Sequence, residues 1–387
     1  MAFFSNAGIN RLAAHFSLHQ FAWSISGAFF ATFLLRNGMS PAGVLLCIAA
    51  VLGLRFTLRP CVLVTAAHIG LRSSLIVGTL LYACQILALA IASSSRAGLV
   101  FYIAVSALSD VFYWTCYHAF FAALGDAENR GAQLGARALF ATLATALGPG
   151  IGGVLLSHFG AWMAFGTGAA IEVVAIVPLL RVPEPAISLQ PWRQAFDAAR
   201  EGVILFSTDG VITCALVFTW DMASFLAFDQ RFDILGAVLS AAALAGAIGG
   251  MLFGGFIDAG HTGRAVGLNA WVLAGLVVLK AVCVGSPMAM ITATVIANAL
   301  GGLYLPTLMT AVYNEAKASP CTLRFHFAAE GGWDAGGVVA CLIGAAAWGA
   351  GVPPSFVLLL SLLGIAAQAR LLWRRYDAHA LAPSNSN

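Results

Sequence analysis

The amino-acid sequence predicts an all-α polytopic membrane protein of twelve transmembrane helices in two six-helix bundles, and three observations carry that prediction. Composition is the first: of 387 residues, 60% are apolar and only 9% charged, with a mean hydropathy of +0.91. A soluble domain draws roughly a quarter of its residues from the charged types. The second is run length. The apolar stretches continue unbroken for about 20 residues, which spans a bilayer as helix, whereas a barrel strand would alternate apolar and polar at every second position. The third is the polar stretch Arg181–Glu201, the longest interruption in the series, which leaves six apolar runs on either side.

The runs before that stretch are Leu12–Leu35, Pro41–Pro60, Leu71–Ala92, Gly98–Ala123, Gly135–Ser157 and Ala161–Leu180. Those after it are Val203–Leu226, Ile234–Ile257, Ala265–Gly285, Met288–Val312, His326–Gly349 and Pro354–Leu372. They are called here the first to the twelfth span. The first follows Arg11 but is too long for a signal peptide and lacks a small-residue cleavage site, so it is expected to be retained. In the dividing stretch, Pro183 and Pro185 oppose helix. Beyond them Trp192, Ala195, Phe196 and Ala199 alternate with Arg193, Gln194, Asp197 and Arg200 at helical spacing, which predicts a short amphipathic helix on a membrane face. The tail after Tyr376 carries no apolar pattern and reads as disordered. The expected organisation is a first bundle over 1–181, a linker over 182–201, a second bundle over 202–376 and a tail over 377–387.

Placing both termini and the linker in the cytoplasm puts most of the 19 Lys and Arg residues on that side and leaves only Arg36, Arg96 and Arg231 outside, which sets the expected orientation. The expected location is a bacterial inner membrane. The basic residues are spread over many loops rather than gathered in one patch, which argues against a nucleic-acid partner. The eight cysteines lie mostly within spans, never as CxxC, and read as packing residues rather than redox or metal sites. No cofactor is implied. With no Walker-type glycine loop, HExxH or GxSxG, neither ATP-driven transport nor hydrolysis finds support, and the protein is expected not to be an enzyme.

The halves echo one another. Phe16-Ser17-Leu18-His19 and Phe206-Ser207-Thr208-Asp209 are offset by 190 positions, and similar offsets relate Tyr113 to Tyr304 and Gly125-Asp126 to Asn314-Glu315. Two similar bundles about an axis along the membrane normal, with a substrate site between them, follow from such a repeat.

Two motifs then give a resemblance to the major facilitator superfamily of secondary transporters over nearly the whole chain. After the eighth span, Gly254, Asp258, Gly263 and Arg264 look like that family's Gly-Asp-Gly-Arg loop, with Gly263-Arg264 two residues further from the Asp than usual. The corresponding copy in Leu63–Arg72 is degraded, Ala67 standing at the acidic position. In the fifth span, Gly135, Ala144, Gly148, Pro149, Gly152 and Gly153 match the glycine-rich motif of the proton-coupled drug antiporter branch, with Ala144 replacing one Gly. Small residues on one face let helices approach closely and Pro149 bends one, whether for rocking of the halves or for stability alone.

Ionisable side chains within spans each cost roughly 2.5–3.5 kcal/mol at the bilayer centre unless paired or hydrated, so they should face inward. Arg55 and Asp110 both lie about 20 Å from the outer ends of their spans at ~1.5 Å per residue and could pair, either structurally or as an ion or substrate contact. His326, Glu330 and Asp334 follow at i, i+4 and i+8 on one helix face, as a proton relay would. The resemblance sets the second span against the eleventh, so Arg55 and Arg59 would meet Glu330 and Asp334 near the cytoplasmic closure, where one carboxylate would gain a proton when the halves part. Asp209 and Asp221 compete for the coupling role, and Glu172 reads as a packing residue. The resemblance also makes the first, fourth, seventh and tenth spans line a central cavity. Its candidate wall is His19, Gln20, Trp23, Asp110, Tyr113, Trp114, Tyr117 and His118, with Tyr304 from the second half.

The function expected is alternating-access transport of a small organic solute, coupled to protons, with efflux favoured and the protein acting as a monomer. A proton-coupled importer and a transporter-like sensor or assembly protein without transport are the alternatives.

Overall fold

The computed structural model describes residues 6–124, 142, 144–185, 192–258, 262–301 and 304–381. These are helical at each of the twelve expected spans, and no strand occurs among them. Among the described residues eight helices are long and apolar enough to cross a membrane: Ala7–Arg36, Pro41–Leu58, Leu71–Ala92, Arg96–Leu124, Ala161–Leu179, Phe196–Ala227, Phe232–Gly249 and Pro354–Arg374. The protein is therefore an all-α integral membrane protein.

The helix ends follow local chemistry. Asn6 caps the first helix, its side chain accepting from the Ile9 amide at 3.1 Å. Ser40 accepts from the Gly43 amide at 3.1 Å, and Pro41 follows at the first helical position, where a missing N–H leaves no intrahelical bond unmade. The degraded motif copy is not a loop. It rides on the short helix Pro60–Ile69, which closes at Gly70 with φ +84°, a left-handed conformation that glycine adopts without a Cβ clash. The Glu184 carboxylate then receives the Leu71 and Arg72 amides at 2.5 and 3.1 Å, an acidic group at a helix N-terminus.

Two expectations are corrected. Among the described residues the linker holds no separate surface helix: the helix that begins at Trp192 runs to Thr213 and on through the seventh span, with Ala199 buried. Nothing between Pro191 and Gly210 interrupts a helix more strongly than Gly202, so the amphipathic turn is the first part of a longer element. The tail is not wholly irregular either, because the last helix continues to Leu381. Asp377, Ala378, His379 and Ala380 contain no breaker, and Pro383 is the first.

Close helix approach positions the inner helices. A Cβ at Gly336 would lie 2.0 Å from the Ser207 carbonyl oxygen, and one at Gly210 would lie 2.2 Å from that of Trp333. The eleventh span therefore packs backbone to backbone on the seventh, and the second span packs along its other side.

Candidate functional site

Between the halves lies a cavity of about 450 Å³. The first span contributes His19, Gln20 and Trp23 to its wall, the fourth Asp110, Trp114 and His118, the second Arg55, the seventh Asp209 and the eleventh Glu330 and Trp333. The three fourth-span residues follow at i, i+4 and i+8, so a single helix face delivers all of them.

Tyr113 and Tyr117 sit on another face and do not line the cavity. Both are fully buried. The ring of Tyr113 stacks 3.9 Å from that of His19, and Tyr117 stacks 4.9 Å from Phe16. These tyrosines are the packing surface between the first and fourth spans. Tyr304 also lies behind the wall, donating to Asp209 Oδ1 at 2.5 Å while receiving Gln368 Nε2 at 3.2 Å.

Arg55 is the hub of an ion-pair cluster that joins the two halves. It donates to Glu330, approaches Asp334 Oδ1 at 2.8 Å through an Nε that is not aimed at the oxygen, and lies 3.8 Å from Asp110 Oδ2. Its guanidinium also stands 5.2 Å from the Trp333 ring centroid, a cation–π distance. One turn on, Arg59 donates to Asp334 and, at 3.1 Å, to Thr115 Oγ1. His118 adds a titratable group: Nε2 is 3.4 Å from Glu330 Oε1, Nδ1 is 2.6 Å from the Tyr313 hydroxyl, and its ring stacks on His326 at 5.4 Å. Two guanidiniums thus face three carboxylates, leaving one negative charge for His118, a proton or a cationic ligand to balance.

Asp110, one of these three, and Asp209, the wall carboxylate outside the cluster, have a common kind of support. Asp110 accepts from the Tyr82 hydroxyl, which receives Trp114 Nε1 at 3.0 Å. Asp209 accepts from Tyr304 and, at 3.0 Å, from Trp333 Nε1. In the second half a tyrosine and a tryptophan both hold the carboxylate, whereas in the first the tryptophan acts through the tyrosine hydroxyl. Asp221 does not reach the cavity. Next to it Trp220 donates to Thr294 at 3.0 Å, with the Lys280 ammonium 4.9 Å from the Trp220 ring centroid.

Glu172 is fully buried and faces His19, whose Nδ1 lies 2.9 and 3.1 Å from its two oxygens. His15 continues this line, its Nδ1 2.8 Å from the Ala175 carbonyl. Sequence reasoning missed the pairing. A lone Glu in the sixth span and a His in the first carry no shared periodicity, and only the fold brings them together.

Contacts between the halves flank the cavity. Phe121 and Tyr313 meet at 4.9 Å near the cluster. At the other end Phe30 meets Phe218 edge-on at 5.5 Å, and the Gly150 amide donates to Ser240 Oγ at 2.8 Å across the halves. Gly148, Pro149, Gly152 and Gly153 lie on the fifth helix at that end: a Cβ at Gly148 would meet Ser24 Oγ at 1.9 Å and one at Gly152 the Ile25 carbonyl at 2.0 Å. Gly135 lies outside the described residues. Gly254 and Asp258 fall on the eighth helix and Gly263 and Arg264 on the ninth, and the side chains of Asp258 and Arg264 lie outside the described residues.

Known proteins agree with this architecture. No curated protein matches the chain. Solved structures similar to it include FucP in the outward conformation, with a TM-score of 0.66 at 12% identity over 95% of this chain and 98% of that one. A variant of the E. coli fucose:proton symporter FucP gives 0.67 at 14% over 95% and 98%. The human organic anion transporter MFSD10 (TETRAN) gives 0.68 at 15% over 95% and 99%. At such identities the likeness is one of fold. The family model described as Major Facilitator Superfamily matches residues 12–320, and the chain belongs to that superfamily of secondary transporters.

Proposed function

We propose that the protein is a proton-coupled antiporter that carries a small aromatic organic cation through the central cavity by alternating access, in the direction of efflux. It works as a monomer in a bacterial inner membrane with both termini in the cytoplasm, the orientation favoured by the Lys and Arg distribution. One observation supports the charge of the substrate above all others. The permanently ionisable groups at the cavity wall are Asp110, Asp209 and Glu330 against Arg55 alone, and Arg55 is already engaged by carboxylates. The walls between these charges are Trp23, Tyr82, Trp114 and Trp333, ring faces that attract a cation and exclude water. A cation and a proton compete for the same excess negative charge, which is the requirement for exchange. The glycine-rich fifth span and Pro149 support the antiporter branch.

Proteoliposomes with an acidic lumen test the reading. An aromatic monovalent cation such as ethidium is expected to accumulate inside as protons leave, and Asp209→Asn should weaken its uptake several-fold. A neutral hexose and an aromatic carboxylate are not expected to accumulate. Accumulation of either of these instead would overturn the cationic substrate, and accumulation of the cation only when the outside is acidic would replace exchange with import. Binding without movement of any solute would favour the sensor alternative.

A further inference from the structure

A second cavity, of about 590 Å³, lies away from the transport site between the ninth helix, Thr262–Cys283, and the last, Ser361–Leu381. Gly267, Ala270, Ala366 and Ala369 line its floor. Elsewhere in this protein small residues bring helices into backbone contact, as Gly336 and Gly210 do, but a Cβ at Gly267 would meet nothing within 4 Å. The small-residue face is an open groove rather than a packed seam. Two tryptophans stand at it, Trp271 and Trp373, exposed by 80% and 55%.

Arg370 and Arg374 also line this groove, one helical turn apart. Arg55, Arg59, Arg72 and Arg231 each meet a carboxylate. Among the described residues no carboxylate lies within 4.0 Å of Arg370 or Arg374. In a membrane protein such a groove is filled by acyl chain, and two unneutralised guanidiniums at it call for an anion with the geometry of phosphate. Basic pockets between transmembrane helices take acidic lipid headgroups in this way, and tryptophan suits the headgroup level.

We infer that this groove is a specific site for an acidic glycerophospholipid, its phosphodiester bridging Arg370 and Arg374 and one acyl chain lying along Gly267 and Ala270 between the tryptophans. The site is independent of the transport cavity and of what that cavity carries.

Purified full-length protein in detergent, titrated with phosphatidylglycerol or phosphatidylcholine and followed by native mass spectrometry, tests this. The wild type is expected to retain one phosphatidylglycerol selectively over phosphatidylcholine. The double variant Arg370→Gln/Arg374→Gln should lose that selectivity, by on the order of tenfold or more from removal of two surface cations. Exposed Arg-to-Gln changes leave the fold intact, which thermal melting in phosphatidylcholine checks. Gly267→Leu fills the groove without altering charge and should weaken retention of both lipids at this site. Equal retention of the two lipids by the wild type, or undiminished selectivity in the double arginine variant, would mean an ordinary annular lipid only and overturn the assignment.

Discussion

Arg55 is only 4% exposed, so its charge is stabilised almost entirely by the carboxylates around it. Each ion carries a desolvation penalty of several kcal/mol, and removal of one partner leaves the others buried and unpaired. Arg55→Ala is accordingly expected to destabilise the protein by about 3–5 kcal/mol, seen as reduced folded yield and a lower melting temperature in detergent. Combining it with Glu330→Gln or Asp110→Asn should recover part of the loss, because the cluster then holds one negative charge fewer. If neither double variant melts above Arg55→Ala, the carboxylates do not depend on this guanidinium. At this scale the sequence was informative where chemistry and period coincide. Arg55 with Arg59, and His326 with Glu330 and Asp334, each share a helix face, and charge in an apolar run has few places to go. It was misleading for Tyr113 and Tyr117, because hydroxylated aromatics suit both a wet wall and a dry packing face. The distinction between the 110–114–118 face and the 113–117 face rests on which neighbour the fourth helix meets, and that neighbour is remote in sequence.

Among helices, the same ambiguity concerns small residues. The glycine-rich fifth span could be read as a rocking element or as tight packing, and its outer contacts show what it touches: a Cβ at Gly236 of the eighth helix would stand 2.3 Å from the Pro149 carbonyl oxygen and 3.1 Å from Gly153 Cα. The halves meet there at backbone distance, aided by the Asp233 amide donating to Ser157 Oγ at 3.1 Å. Gly236→Ala cannot be accommodated without separating the two helices, since the obstructing atom is a carbonyl rather than a flexible side-chain end. Overpacking of this kind costs about 1–3 kcal/mol. The cost falls only on the state closed at this end, so the equilibrium should shift roughly tenfold or more toward the state open there. Spin labels at the adjoining ends of the fifth and eighth helices should report a longer mean distance in Gly236→Ala than in the wild type, and an unchanged distribution would mean that this contact does not govern closure. Helix existence was legible from run length, but the Trp192 and Leu381 boundaries were not. Polarity ends a membrane span without ending a helix, and only a breaker such as Pro183 or Pro383 does the latter.

For the whole molecule, the charge cluster is the place where the second and fourth helices of one half grip the eleventh of the other. Arg55 and Arg59 belong to the first bundle with Asp110, whereas Glu330 and Asp334 belong to the second. Separation of the bundles would leave two guanidiniums beside a single carboxylate on one side and two adjacent carboxylates without cations on the other. Without Arg55 and Arg59 these two carboxylates would hold uncompensated like charge one turn apart in a low-dielectric interior, an arrangement that one bound proton would relieve. A proton taken up in the separated state and released as Arg55 and Arg59 return would tie each transport cycle to the proton gradient. Glu330→Gln or Asp334→Asn is therefore expected to abolish uphill, gradient-driven movement of the cation in proteoliposomes while leaving its binding, and its downhill exchange, measurable. A purely structural gate predicts otherwise: loss of one pair would weaken closure and lower the melting temperature, yet the response to a pH gradient would remain. Both variants must be compared with wild type for gradient-driven uptake and for counterflow in the same vesicles. Loss of the first with retention of the second assigns the proton to this cluster, and full gradient dependence in both variants would move it to Asp209.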